Sequence, residues 1–218
     1  NLHGEDRPFT GVSTDTRSLK AGQLYVALSG PNFDGNDFLP QAKEGGAVAA
    51  LQSAAPMAGL PCIQVEDTRA ALGALAAAWR ARFSLPVVGV TGSNGKTTVK
   101  EMLAAMFGAA GPVLATAGNL NNDIGVPLTL FGLSEEHRHA VIEMGANHHG
   151  EIAYLAGLAQ PTVAVVTNAG PAHLEGFGSV EGVAQAKGEL FAALPDDGLA
   201  VYNLDDEYAP VWQEIIGA

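Results

Sequence analysis

Hydrophobic and polar positions follow two rhythms along the chain. Short apolar runs at Leu24–Leu28, Ala47–Leu51 and Cys62–Val65 have the length and composition of strands, with a helical stretch near Phe38–Glu44 between the first two. From Leu72 the spacing changes: Leu72, Leu75, Ala76, Trp79 and Phe83 recur at a helical period and predict one buried face. Ser84-Leu85-Pro86 ends that helix, because proline disfavours helical geometry in the residue before it. The domain boundary is placed there, giving segments 1–85 and 86–218.

Beyond the boundary, Pro86–Val90 is a continuous apolar strand that runs into a glycine-rich loop. Val99, Met102, Leu103, Met106 and Phe107 then predict the inward face of a helix. Ala140–Met144, Thr162–Thr167 and Leu199–Tyr202 read as further apolar strands. Strands of this kind alternating with helices predict an α/β fold whose second domain is a mostly parallel sheet covered on both faces. After Tyr202 only the start of one more helix follows, so the second domain is expected to be cut short.

Composition narrows the classes. Hydrophobic residues make up 47 % of the 218 and charged ones 16 %, which supports a sizeable core and argues against disorder. With 11 basic and 23 acidic side chains the net charge is −12, against nonspecific binding to nucleic acid or an anionic membrane. A phosphate ligand must therefore be captured by a local site. No apolar run approaches the ~18 residues of a membrane span, and the first residues lack a secretory pattern. One cysteine, Cys62, fits a reducing compartment. These features predict a cytoplasmic protein.

The clearest chemistry lies in Thr91-Gly92-Ser93-Asn94-Gly95-Lys96-Thr97-Thr98, between a strand and a helix. Gly95-Lys96-Thr97 fits the end of a P-loop, although Val90 stands at the first glycine position and Gly89 one residue early. Glycines 92 and 95 let backbone amides turn towards phosphate oxygens, and the helix start adds its positive dipole end. Lys96 supplies a cation to the outer phosphates and Thr97 a hydroxyl to Mg²⁺. An ordinary glycine-rich turn is the bland alternative. Glu143, at the end of an apolar strand, points into the crevice where α/β ligands sit and is a second Mg²⁺ candidate.

Histidines 3, 137 and 139 read as surface groups, and His148 and His149 as an exposed pair in a turn. His173 lies five residues past Asn168 at the same sheet edge as Glu143, where it could be a ligand. Lys187 falls on the inward stripe of a helix carrying Val183, Leu190, Phe191 and Leu194. Either its amine snorkels to water, or it is buried with a lowered pKa and can react with CO₂ to give a carbamate.

The stretches TGSNGKTTVKEM (91–102), ATAGNLNNDIGVPLTL (115–130), EMGANHHGEI (143–152), NAGPAHLEGFGSVEGVAQAKGELF (168–191) and NLDD (203–206) together resemble the Mur ligases, ATP-dependent amide-bond formers of peptidoglycan synthesis. STDTR (13–17) and LSGPNFDGNDF (28–38) resemble the UDP-binding domain of the member that adds a dipeptide. The resemblance implies a small UDP-substrate domain over 1–85 and part of an ATP-binding central domain over 86–218, with the remainder and a C-terminal domain absent. It implies that residues 91–98 bind ATP, that Thr97, Glu143, His173 and a carbamylated Lys187 serve Mg²⁺, and that Lys96, Lys187 and His173 act in catalysis. Ser13, Thr16, Arg17, Asn119, Asn121 and Asn122 would contact the UDP-substrate, although Arg17 could equally form a surface ion pair with Asp15.

The implied reaction joins D-Ala-D-Ala to UDP-N-acetylmuramoyl-tripeptide through an acyl phosphate, in a monomer serving cell-wall synthesis and hence cell shape and division. Alternatives are a folylpolyglutamate synthase-like ligase, which lacks such an N-terminal domain, a non-catalytic fragment that binds UDP-substrate or nucleotide, and a P-loop kinase.

Overall fold

The computed structural model describes residues 1–217. Two compact units meet in sequence inside a helix: the first is Asn1–Leu75 and the second runs on from Ala76. The first contains β1 (Leu2–His3), β2 (Val12–Ser13), β3 (Leu24–Val26), β4 (Ser29–Gly30), β5 (Phe33–Asp34), a 3-10 turn (Gly35–Phe38), α1 (Leu39–Glu44), β6 (Ala49–Gln52), β7 (Cys62–Gln64) and the start of α2 (Thr68–Arg80). Its sheet has the order β1-β7-β6-β3-β2 and is parallel except where β1 meets β7. Tyr25, Ala27, Leu39, Ala42, Ala50, Leu60 and Cys62 form its core. The Thr68 hydroxyl donates to the Ala27 carbonyl at 2.9 Å, and Asp67 accepts from the amides of Arg69 and Ala70, so the first turn of α2 is capped.

The second unit continues with β8 (Val87–Thr91), α3 (Lys96–Gly108), β9 (Val113–Ala115), α4 (Gly125–Leu130), β10 (His139–Glu143), α5 (Glu151–Ala159), β11 (Val163–Val166), α6 (Leu174–Phe177), α7 (Val180–Ala192), β12 (Leu199–Tyr202) and α8 (Ala209–Ile216). Its sheet is parallel throughout, in the order β12-β11-β8-β10-β9. All of β8 is buried, which a strand with neighbours on both sides and helices on both faces requires. The chain passes from β8 to β9 and β10 on one side, then crosses to β11 on the other. That reversal opens a crevice beside the carboxyl end of β8.

Three expectations need correction. Met102 and Met106 are 62 % and 69 % exposed. Val99, Leu103 and Phe107 do pack on Val88, Val90 and Val141, but the fourth inward position of α3 is Lys100, at 1 % exposure. The buried stripe thus turns towards the lysine side and leaves the methionines on the solvent flank. The sheet is also not covered on both faces at its edge: Leu199 and Val201 of β12 are 59 % and 42 % exposed. Finally, His3 and His139 are not simple surface groups. His139 stacks on Phe107 with ring centroids 4.7 Å apart, its Nδ1 buried without a partner, and the Nε2 of His3 is likewise buried and unpaired. The amide of Ser134 donates to His137 Nδ1.

Sequence periodicity gave no role to Arg80. It is 5 % exposed, and its guanidinium donates to the carbonyls of Phe83, Ala159 and Gln160 at 2.6, 2.8 and 3.3 Å. These carbonyls lie at or just past the C-terminal ends of α2 and α5, where the helical bonding pattern runs out. Replacing Arg80 by Met keeps the stem and strands those carbonyls. Urea unfolding should show a loss of about 2–4 kcal/mol, and an unchanged midpoint would refute this bracing role.

Candidate functional site

The site begins where β8 stops. Thr91 is fully buried, and its hydroxyl donates to the Met144 carbonyl at 2.8 Å, joining the carboxyl ends of β8 and β10. Gly92 has φ +145°, and a Cβ there would overlap the Thr167 hydroxyl. Gly95 has φ +80° and sits immediately before α3 with open space around it. The amide of Val99 donates to the Gly95 carbonyl. Among the described residues, no group accepts from the amides of Gly95, Lys96, Thr97 or Thr98. A row of unpaired amides at a helix start is the physical basis of an anion cradle. Lys96 folds over this turn, its Nζ donating to the Gly92 carbonyl at 2.7 Å and the Ser93 carbonyl at 3.4 Å. Burial lowers its pKa, opposed by the charge of Glu143.

Glu143 closes β10 at 2 % exposure. One carboxylate oxygen accepts from the Thr97 hydroxyl at 3.0 Å and the other from the Asn121 side-chain amide at 2.8 Å, while its backbone amide donates to Thr116 Oγ1 at 2.9 Å. A buried carboxylate satisfied by neutral donors, with a hydroxyl beside it, offers the hard oxygens that Mg²⁺ selects. Among the described residues no cluster of three or more His, Cys, Asp or Glu could hold a metal.

Lys187 stands on α7, which Ser179 caps through the Gly182 amide. At 3 % exposure the side chain is buried almost throughout. Its Nζ lies 5.4 Å from the centre of the Phe177 ring. Burial lowers its pKa to about 8, repulsion from Lys96 adds to this, and Glu189 and Glu151 oppose it. Glu189 also accepts from the amides of Gly150 and Ala153 at 2.7 and 3.0 Å, binding the start of α5 to α7. His148 and His149 are exposed as expected, yet each faces a carboxylate, Glu151 at 3.1 Å and Glu189 at 3.9 Å.

Comparison with known proteins gives the same picture. The Mur ligase middle domain matches residues 90–217, and a segment described as the Mur ligase family, catalytic domain, matches residues 8–80. The chain belongs to the Mur ligase family. It is 53 % identical over 217 residues to the UDP-N-acetylmuramoyl-tripeptide–D-alanyl-D-alanine ligase of Escherichia coli, covering all of this chain and 48 % of that protein. A crystal structure of MurF from Acinetobacter baumannii superposes with a TM-score of 0.91 at 40 % identity, over 94 % of this chain and 46 % of that one. The MurF ligase of Thermotoga maritima, solved in complex with ADP, gives 0.88 at 33 % identity, over 98 % and 49 %. The chain thus spans about half the length of the relatives it matches.

Other residues singled out by the Mur ligase resemblance have different situations. His173 is exposed at φ +52° before α6, and no hydrogen bond joins it to Thr97, Glu143 or Lys187. Of the three asparagines, Asn121 orients Glu143, Asn122 caps α4 by accepting from the Gly125 amide at 2.8 Å, and Asn119 is exposed. In the first unit, Ser13 Oγ donates to the Asp15 carbonyl at 3.0 Å and Thr16 is half-buried. Arg17 does pair with Asp15, Nη2 to Oδ2 at 2.7 Å and Nε to Oδ1 at 2.9 Å, with its side chain 89 % exposed. That ion pair holds the Asp15 carboxyl well below its usual range.

Sequence reasoning passed over Lys100, Thr116 and Glu189. Lys100 had a signal, since it directly follows an inward-facing valine and lies one turn beyond Lys96. The two glycines of the turn give a direct test. Gly95→Ala meets only the backbone penalty of a left-handed residue, about 1–2 kcal/mol. Gly92→Ala must also displace Thr167 and should cost about 3 kcal/mol or more by urea unfolding; equal losses would contradict the close approach.

Proposed function

We propose that this chain is part of an ATP-dependent ligase that joins D-Ala-D-Ala to UDP-N-acetylmuramoyl-tripeptide in peptidoglycan synthesis. Residues 1–85 would take the UDP-substrate and residues 86–218 part of the ATP site. The observation that carries the reading is the row of unpaired amides at Gly95–Thr98 under the Lys96 amine, facing the Thr97–Glu143 pair. Together they supply donors, a cation and hard oxygens for a triphosphate and its metal. The ligase named for the Escherichia coli relative and the ADP bound to the Thermotoga maritima relative support it.

The tripeptide carboxylate is a poor electrophile. One of its oxygens attacks the γ-phosphorus, the bond to the β-γ bridging oxygen breaks, and ADP leaves an acyl phosphate. The free amine of D-Ala-D-Ala then attacks the acyl carbon, the carbon–oxygen bond to phosphate breaks, inorganic phosphate leaves with the bond's electron pair, and the amine proton passes to solvent. The first step brings two anions together, so it needs charge neutralisation and in-line positioning. The amides at 95–98 and Lys96 bind and orient the phosphates. Thr97 and Glu143 would hold Mg²⁺, with His173 as a further ligand; the ion supplies electrostatic relief of the phosphate charge.

In this reading Lys187 is carbamylated. Its neutral amine attacks CO₂, a nitrogen–carbon bond forms, and the proton leaves to solvent. The product is an anion where a cation had been, so repulsion by Lys96 becomes attraction. Ser13, Thr16 and Arg17 would meet the UDP diphosphate, with Arg17 already oriented by Asp15. Asn119, Asn121 and Asn122 would line the approach of the peptidyl substrate. The protein would work as a cytoplasmic monomer with no nucleic-acid partner, in keeping with a net charge of −12 and no described helix long and apolar enough to cross a membrane.

Calorimetry tests the two halves of the reading separately. MgADP should bind, and Lys96→Ala should weaken it at least about ten-fold while affinity for UDP-N-acetylmuramoyl-tripeptide is kept. Loss of both would contradict separate sites, and binding of folate in place of the UDP-substrate would favour the folylpolyglutamate alternative.

A second measurement addresses Lys187. With a pKa of about 8, half its amine is neutral near pH 8 and roughly a tenth at pH 7. At a fixed concentration of dissolved ¹³CO₂, a carbamate carbon resonance should therefore grow from pH 7 to 8.5 and be absent in Lys187→Arg. A signal unaffected by the substitution would rule this lysine out.

A further inference from the structure

The phosphate loop is held from behind by a segment to which neither the comparisons nor the proposed reaction gives a part. Ser93 and Asn94 do not present their amides to the crevice. The Ser93 amide donates to the Asn168 carbonyl at 3.0 Å, and the Asn94 amide donates to Asn168 Oδ1 at 3.0 Å. Asn168 Nδ2 returns a bond to the Asn94 carbonyl at 3.1 Å, and the Thr167 hydroxyl donates to the same carbonyl at 2.6 Å. Ser93 Oγ accepts from the Gly170 amide at 2.9 Å and donates to the Gly170 carbonyl at 3.1 Å. The segment is itself anchored: the Ala169 amide donates to Asp206 Oδ2 at 3.0 Å, and the other oxygen of Asp206 accepts from the Tyr208 amide at 2.9 Å.

We propose that residues 167–170, anchored by Asp206, form a clasp that preorganises the phosphate loop, with Asn168 and Asp206 as positioning residues of the nucleotide site. The inference rests on the nucleotide reading above. A carboxamide is suited to the place because it both accepts from an amide and donates to a carbonyl of one residue, extending the β8–β11 pairing past the end of the strands. The loop it grips has glycines at 92 and 95, whose freedom must otherwise be lost each time a phosphate binds. By occupying the amides of Ser93 and Asn94, the clasp also restricts the phosphate donors to those of Gly95–Thr98.

The test combines calorimetry with MgADP and amide hydrogen exchange. Asn168→Leu should raise the dissociation constant for MgADP about ten-fold or more and release the Ser93 and Asn94 amides to fast exchange. Asn168→Asp keeps the acceptor and loses the donor, so it should fall between wild type and Leu. Asp206→Asn should weaken MgADP less than Asn168→Leu and speed exchange at Ala169 and Tyr208. Wild-type affinity in Asn168→Leu, or unchanged exchange at 93 and 94, overturns the clasp. Failure of the unsubstituted protein to bind MgADP overturns the nucleotide reading, and the positioning role with it. Should Asn168→Leu lose its cooperative unfolding, Ser93→Ala removes only the two contacts to Gly170, and unaltered MgADP affinity there would equally count against the clasp.

Discussion

A buried parallel strand must end in a turn sharp enough to send the next helix back over the sheet, and at β8 that turn leaves the amides of Gly95–Thr98 without acceptors among the described residues. Unpaired amides carry a free-energy cost that is modest while they face solvent and is offset when an anion arrives. The surroundings are arranged about this constraint. Gly92 permits close approach to Thr167, Lys96 lies over the loop carbonyls, and the Glu143 carboxylate accepts from the Thr97 hydroxyl at the start of the helix.

Placing charge in this environment is expensive, and each charged group has a distinct solution. Glu143 is held by a hydroxyl, a carboxamide and, through its backbone, Thr116. Lys100 donates to the Thr116 carbonyl at 2.8 Å and pairs with Glu101 at 2.6 Å, so a buried cation braces the residue that braces Glu143. Lys187 has no such hydrogen-bond partner, and burial, with repulsion from Lys96, lowers the pKa of its amine to about 8. A neutral amine in a buried place is a nucleophile towards CO₂, whereas the solvated cation it replaces is not.

The exposed apolar residues of the second unit have a different character. Met102 and Met106 lie on the free flank of α3, and Leu199 and Val201 on the open face of an edge strand. The first pair shows that helical spacing defines a stripe only to within its width: the centre of the stripe settled between Val99 and Lys100. The second shows that an apolar strand at a sheet edge can satisfy its own pattern without cover on both faces.

Local order along the chain sufficed for the elements, because strand and helix periods and the Ser84-Leu85-Pro86 break are written in neighbouring residues. Four of the five strands of the second unit's sheet and the glycine turn follow from that alone, as does the inward position of Lys187, since a helix of Val183, Leu190 and Phe191 has one face to bury. Very short strands such as β1, β2 and β9 escaped, being too brief to show a period. What brought Lys187 within the field of Lys96, paired Arg17 with Asp15, and turned Asn168 towards Ser93 and Asn94 was the folded arrangement. Those outcomes depend on which groups from distant segments come within a hydrogen bond of one another and on how much water they exclude, and neither quantity is carried by the spacing of residues along a single segment.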